Sequence, residues 1–226
     1  PTPVTVLAPL GDPVVTMTTG KDTGDTLNLK IFGTGVYVDY GDGQPVPING
    51  TEEASGEIKG SQIKLYGDIT TLYCNDNKLT SLDVSACTTL IDLACHNNDL
   101  TSLDVSHNLA LDSLVCECNQ LTALDVTKNA ALTFLMCGNN NISALNISNC
   151  KDMEMIDCHC NQLSSLDVTN NPKFTQITCF DNQLTALNVS NCPLLQILCC
   201  NNNQLTSLDV SHNPDLQVLY CDMNER

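Results

Sequence analysis

The stretch "LVCECNQLTALDVTKNAALTF" (114–134) decides the fold, because the chain returns to it every 21 residues. Its Cys116 stands in the column Cys74, Cys95, Cys116, Cys137, Cys158, Cys179, Cys200 and Cys221, each step 21 residues. Its Asn119 belongs to the column Asn77, Asn98, Asn119, Asn140, Asn161, Asn182, Asn203 and Asn224. Its Leu114 belongs to Leu72, Leu93, Leu114, Leu135, Ile156, Ile177, Leu198 and Leu219. A second series runs Leu82-Asp83-Val84, Leu103-Asp104-Val105, Leu124-Asp125-Val126, Leu145-Asn146-Ile147, Leu166-Asp167-Val168, Leu187-Asn188-Val189 and Leu208-Asp209-Val210. A further apolar column is Leu90, Leu111, Leu132, Met153, Phe174, Leu195 and Leu216. Alternation at L-x-C and at L-D-V is the pattern of short half-buried strands that end in polar turn residues.

A period in this range with this spacing is the signature of a leucine-rich repeat. One such coil cannot bury its apolar edge alone, so successive coils stack and share a continuous core. The expected fold is a right-handed leucine-rich-repeat solenoid over residues 67–226, of about seven coils. It is mostly β with little helix, and short parallel strands run on two sides. At about 4.8 Å per strand the coils make a rod of about 35 Å. Leu, Val and Cys columns point inward. Asparagine points inward too, because its amide both donates and accepts and can satisfy backbone groups where the strand turns.

The unit resembles the bacterial leucine-rich repeats with a nested 10-plus-11 pattern, and the "NQLTSLDVS" repeats of surface proteins in Bacteroidetes-type bacteria. The resemblance covers residues 66–226. It implies export to the bacterial surface or beyond, including as a lipoprotein anchored upstream of residue 1. It specifies the fold much more closely than the function.

The 14 cysteines fit this frame better than a disulfide framework. Stacked neighbours lie within Cα range of a disulfide, but side chains that point the same way have the wrong geometry for one. They read as a ladder of reduced thiols, small and apolar. Cys87, Cys150 and Cys192 take the place of Asn108, Asn129, Asn171 and Asn213 in the second half of the unit and read as inward thiols too. Cys118, Cys160 and Cys199 fall outside both columns. "CEC" (116–118) and "CHC" (158–160) suggest zinc, but each spends one thiol on the inward ladder, so four ligands do not converge. No metal and no cofactor is expected.

A net charge of −17 with nine Lys and Arg argues against nucleic acid and against anionic membrane surfaces. No apolar run reaches the roughly 20 residues of a membrane span. The opening "PTPVTVLAP" shows no signal peptide and suggests a mature or trimmed start. At the other end Glu225 and Arg226 follow the last asparagine turn, so these charges cap the last coil or that coil is exposed or paired, by end-to-end or edge self-association.

Residues 1–66 lack the repeat. "TLNLKIF" (26–32) alternates as a strand does, "GVYVDYGDGQPVPI" (35–48) holds a Gly-Asp-Gly turn and a Pro-broken edge, and "SQIKLYGDI" (61–69) runs into the first coil. The expectation is a small antiparallel β domain that caps the solenoid's open end. Its "VDYGDG" turn (38–43) resembles the "DWGDG" turn of polycystic-kidney-disease-like modules, with Tyr40 in place of Trp.

The Asp column offers stacked carboxylates, but Asn146 and Asn188 share it. Asparagine keeps the acceptor and drops the charge, so the column reads as structural and not as a calcium site. His96, His107, His159 and His212 sit at turn positions, no G-x-S-x-G turn is present, and no catalytic residue is assigned. The sequons at Asn49, Asn141, Asn146 and Asn188 read as repeat drift. The outward positions of the L-x-C strand vary from coil to coil, whereas the outward position of the L-D-V strand is Asp in nearly every coil. The candidate binding face comprises Tyr73, His96, Val115, Glu117, Phe134, Met136, Asp157, His159, Thr178, Phe180 and Tyr220. Mixed apolar, aromatic and acidic residues on one sheet face suit an extracellular protein or glycan. The expected function is a non-enzymatic binding or adhesion module, with a ligand-free structural spacer as the alternative.

Overall fold

The protein is described here from a computed structural model that covers residues 11–48 and 53–224. The "PTPVTVLAP" start, Asn49, Glu225 and Arg226 lie outside the described residues. Among the described residues the architecture is a mostly β solenoid without helix.

The first strands are antiparallel. They are β1 (Val15–Thr19), β2 (Thr26–Asp39), β3 (Val46–Pro47), β4 (Glu53–Glu57) and β5 (Gln62–Tyr73). β2 pairs with β3, β4 and β5. In the "VDYGDG" turn Asp39 Oδ1 accepts the N–H groups of Gly41, Asp42 and Gly43 at 2.9, 3.1 and 3.0 Å. Gly41 is needed there: its φ is 104°, and a Cβ would overlap the backbone of Gly60.

The coil strands follow. They are β6 (Leu79–Asp83), β7 (Asp92–Ala94), β8 (Ser113–Val115), β9 (Leu124–Asp125), β10 (Phe134–Met136), β11 (Leu145–Asn146), β12 (Met155–Asp157), β13 (Gln176–Thr178), β14 (Ile197–Cys199) and β15 (Val218–Tyr220). One parallel sheet runs β5-β7-β8-β10-β12-β13-β14-β15, with Leu72, Leu93, Leu114, Leu135, Ile156, Ile177, Leu198 and Leu219 side by side in register. β5 belongs to both parts: Lys64 and Leu65 pair antiparallel with β1, and Thr71–Tyr73 pair parallel with β7. The expected boundary at 66/67 therefore falls inside one strand, at Gly67 (φ 102°), beside a register break in β2 between Thr34 and Tyr37. β1 pairs antiparallel with both β5 and β6, so it joins the two sides of the first coil, with Val15 and Met17 buried in the shared core.

Each coil turns first on the asparagine that follows its cysteine. Asn140 is typical. Its Nδ2 donates to Cys137 O (3.1 Å) in its own coil and to Cys116 O (3.1 Å) in the coil before, while its Oδ1 accepts the Leu121 N–H (2.9 Å). One side chain thus joins two coils and satisfies buried backbone of both signs. The same pattern recurs at Asn98, Asn119, Asn161, Asn182, Asn203 and Asn224. Asn77 has no coil before it and joins the antiparallel strands instead: its Nδ2 donates to Asn28 O (2.7 Å), and its Oδ1 accepts from Asn28 N (3.1 Å) and Lys21 Nζ (2.9 Å). The residue before each asparagine has positive φ, and the column Asp76, Asn97, Cys118, Asn139, Cys160, Asp181, Asn202 and Met223 contains no glycine. The amide network holds that backbone even where the residue is Cys or Met, which ordinarily avoid it.

The second side carries less strand. Among the described residues its parallel pairing is limited to β9 with β11. Each segment ends at its outward Asp or Asn. Asp104 Oδ1 accepts the Ser106 N–H (2.9 Å), Asp125 Oδ1 the Thr127 N–H (2.9 Å), and Asn146 Oδ1 the Ser148 N–H (3.1 Å). Each bond turns the backbone within two residues and stops the strand.

The Leu, Val and Cys columns form the core as far as the coil of Cys200. In the last described coil Leu219 stays in register with Leu198, and Leu219 (39% exposed) and Cys221 are exposed. No later coil among the described residues packs on them. All 14 cysteines are free.

Candidate binding face

The parallel sheet has one side in the core and one side open. On the open side the coils place Ser113, Phe134, Met155, Gln176, Ile197 and Val218 in one row and Val115, Met136, Asp157, Thr178, Cys199 and Tyr220 in the next. Phe134, Met155, Val115 and Met136 are half-buried neighbours across three adjacent strands. Tyr73, His96, Glu117, His159 and Phe180 are also half-buried, and Tyr220 is 58% exposed. Lys30 Nζ lies 5.9 Å from the Tyr73 ring centroid.

Asp157 and Thr178 depart from the expected contact surface. They are 9% and 6% exposed. Asp157 is drawn against its neighbour His159, whose Nδ1 lies 2.5 Å from Asp157 Oδ1 and whose N–H donates to the same oxygen at 3.1 Å. Thr178 Oγ1 accepts from Gln176 Nε2 (3.3 Å).

The centre of the face is a convergence. Ligand atoms of Glu117, Asp157 and His159 lie within 4.8 Å of one another, and this is the one such group of three found among the described residues. The His159 ring stacks on Phe180 with centroids 4.7 Å apart and 22° between planes, and its Nε2 lies 2.7 Å from Asn139 Nδ2. Glu117 stands two coils from His159. Between them is Gly138, the one glycine after Gly67, and a Cβ there would overlap Nδ1 and Cε1 of the His159 ring. Desolvation, followed by repulsion from Asp157, pushes the Glu117 carboxyl above its usual range, and His159 partly offsets this. The expectations missed this grouping, although a single glycine in a variable column of otherwise side-chain-bearing residues was its signal.

The thiols of "CEC" and "CHC" do not join the group. Cys118 is exposed, and Cys160 Sγ lies 3.3 Å from Asp181 Oδ2 on the turn side. His107 and His212 are exposed beside Ser106 and Ser211, with the ring Nδ1 atoms 3.2 and 3.1 Å from the hydroxyl oxygens. A separate shallow groove on the turn side is lined by Lys151, Thr169, Lys173, Ser190, Asn191 and His212. Lys173 is paired with Asp152 there at 2.8 Å.

The fold and this face define a leucine-rich-repeat solenoid with an open parallel sheet. The solved structures it is similar to are bacterial leucine-rich-repeat proteins. The functional domain of InlJ from Listeria monocytogenes, which includes a cysteine ladder, is 30% identical over 79% of this chain and 43% of that one, with a TM-score of 0.61. A leucine-rich-repeat protein of Leptospira interrogans is 24% identical over 67% of this chain and 42% of its own, with a TM-score of 0.62. An internalin, InlF of Listeria monocytogenes, is 24% identical over 62% and 44%, with a TM-score of 0.59. The chain spans less than half the length of these solved proteins. No family model and no curated protein matches it. Among the described residues no helix is long and apolar enough to cross a membrane.

Proposed function

We propose that this chain is a non-enzymatic binding or adhesion module that presents the open face of its parallel sheet to an extracellular protein or glycan. One observation carries the reading. Within a strict repeat this face carries side chains that differ from coil to coil, and Val115, Phe134, Met136 and Met155 form a half-buried apolar patch on it beside Glu117 and His159. An apolar centre with a polar border is the anatomy of a recognition surface. A solenoid sheet supplies the rigid support such a surface needs. The likeness to InlJ, whose functional domain includes a cysteine ladder, supports the solenoid on which this reading rests. The same reading takes the antiparallel strands as a cap of the solenoid, related to polycystic-kidney-disease-like modules, and places the chain at the surface or outside of a bacterial cell among the "NQLTSLDVS" proteins.

The test is a binding screen of the intact chain against extracellular proteins and polysaccharides, beside a variant carrying Tyr73→Ala, Met136→Ala and Phe180→Ala. Hits lost in a variant of unchanged melting temperature support the face. Hits kept by the variant move the site to the antiparallel strands or the turn side. Absence of any hit favours a structural spacer.

A further inference from the structure

We propose that Glu117, Asp157 and His159 form a binding site for one divalent transition-metal ion of the zinc type on the open sheet face. The inference is independent of what else that face binds.

Strands of neighbouring coils are about 4.8 Å apart, so side chains two coils apart start about 10 Å from one another. Glu117 and His159 nevertheless bring ligand atoms, together with one from Asp157, within 4.8 Å. Gly138 makes this possible. It occupies the same column in the intervening coil, and any other residue there would press a Cβ against Nδ1 and Cε1 of the His159 ring. The column otherwise reads Asn75, His96, Glu117, His159, Phe180, Asn201 and Asp222, so the gap lies where the three groups meet.

The two carboxylates also lack hydrogen-bond partners outside the group. Asp157 is 9% exposed, yet its hydrogen bonds use only Oδ1, and both come from His159. Among the described residues Glu117 makes no side-chain hydrogen bond. No Lys or Arg occupies the open-face columns between Ser113 and Phe180, so two carboxylates converge without a cation from the protein. Buried charge is ordinarily paired or bound to metal.

The donor set selects the ion. One imidazole nitrogen and two carboxylate oxygens suit zinc and its neighbours, and three protein ligands leave a position open. Calcium takes six to eight oxygens, which this set does not provide. The stack of Phe180 on His159 holds the ring, as outer-shell contacts do at metal sites.

The test uses the full chain under a non-thiol reductant, with Cys118→Ser, Cys160→Ser, Cys199→Ser and Cys221→Ser removing the thiols that are not fully buried. Equilibrium dialysis against Zn²⁺ should give one ion per chain, with no comparable uptake of Ca²⁺. Glu117→Gln, nearly isosteric at a half-buried position, should weaken binding at least about tenfold. Gly138→Ala should do the same while leaving all three ligands in the sequence, because it displaces the imidazole. Far-UV circular dichroism should stay unchanged in the Glu117 variant. No zinc uptake, uptake that survives Glu117→Gln, or equal uptake of calcium would each overturn the site.

Discussion

Each coil has two turns, the first built on an asparagine and the second on an asparagine or a cysteine, and the two use the side chain differently. At the first turn both ends of the amide work: Asn140 donates to Cys137 O and Cys116 O and accepts from Leu121 N–H. At the second turn only the donor works. Asn129 Nδ2 donates to Val105 O (3.0 Å) and Asn108 O (2.9 Å), while the Oδ1 atoms of Asn108, Asn129, Asn171 and Asn213 are buried without a partner. The sequence follows this difference. The first column is asparagine in every coil, whereas the second admits Cys87, Cys150 and Cys192. A thiol is a weak donor, and Cys150 Sγ lies 3.5 Å from Asn129 O and 3.7 Å from Val126 O, in the place of the amide. Cysteine therefore replaces asparagine where no acceptor is required. One repeat thus contains a turn that specifies a residue and a turn that specifies only a small buried donor.

The largest expected effect comes from the cysteines of the first half. Cys74, Cys95, Cys116, Cys137, Cys158 and Cys179 are buried, and desolvation pushes each thiol up, Cys95 to about 12. In the unfolded chain a thiol titrates near 8.5. The raised folded value means that the native state keeps its protons while the unfolded state loses them. Stability is therefore fully present below about pH 8.5 and falls as pH rises toward the folded values. The slope is about 1.4 kcal/mol per thiol per pH unit, or about 8 kcal/mol per unit for the six together. That is as large as the whole stability of many domains. Circular dichroism under reducing conditions should show cooperative unfolding between about pH 9 and 10.5 by this slope. Burial also pushes Cys150 and Cys192 up to about 11, so the variant Cys87→Asn, Cys150→Asn and Cys192→Asn should stay folded, lose a minor part of the steepness and keep most of it. A variant whose alkaline transition flattens would place the effect at the second turn and break the comparison.

A direct exchange of the two turns comes next in size. Asn140→Cys removes the acceptor for the buried Leu121 N–H and weakens two donor bonds, which should cost about 3 kcal/mol. Asn129→Cys changes only donors and discards an unpaired oxygen, so it should cost less than about 1 kcal/mol. Urea denaturation of the two variants measures the difference. Equal losses would mean that the unused oxygen of the second turn is not the reason cysteine is accepted there.

The fold was legible because stacking makes each coil repeat its neighbours' solution. Column after column of Leu, Cys and Asn can be read without knowing any contact. Two features were less legible. The sequence shows L-D-V alternating like L-x-C, but the Asp side chain bends the backbone within two residues, and propensity does not reveal which bond an outward carboxylate will choose. β5 crosses from one part of the fold to the other, because Gly67 lets a single strand change partners at a bulge. On the open face, the positions of Val115, Phe134 and Met136 follow from alternation alone. The burial of Asp157 and the approach of Glu117 to His159 depend on side chains reaching across coils, and a column register places side chains only one coil at a time.

The smallest expected effect tests the outward carboxylates of the L-D-V segments, which the two turns enclose. Asp125 is lowered from the ordinary carboxylate value, chiefly because its side chain accepts from the Thr127 hydroxyl (2.7 Å) and then from the Thr127 N–H (2.9 Å). A depressed folded value makes a contribution that is present above about pH 4 and lost as pH falls through the lower folded value. The group is almost fully exposed, so solvent screens most of that contribution. Asn188 makes the corresponding bond to Ser190 N at 3.1 Å without a charge. Asp125→Asn should therefore change stability at pH 7 by no more than about 0.5 kcal/mol and remove the local acid dependence. A loss several times larger would show that charge, and not the acceptor, holds this segment. The mixture of Asp and Asn in the column would then mark coils of unequal strength.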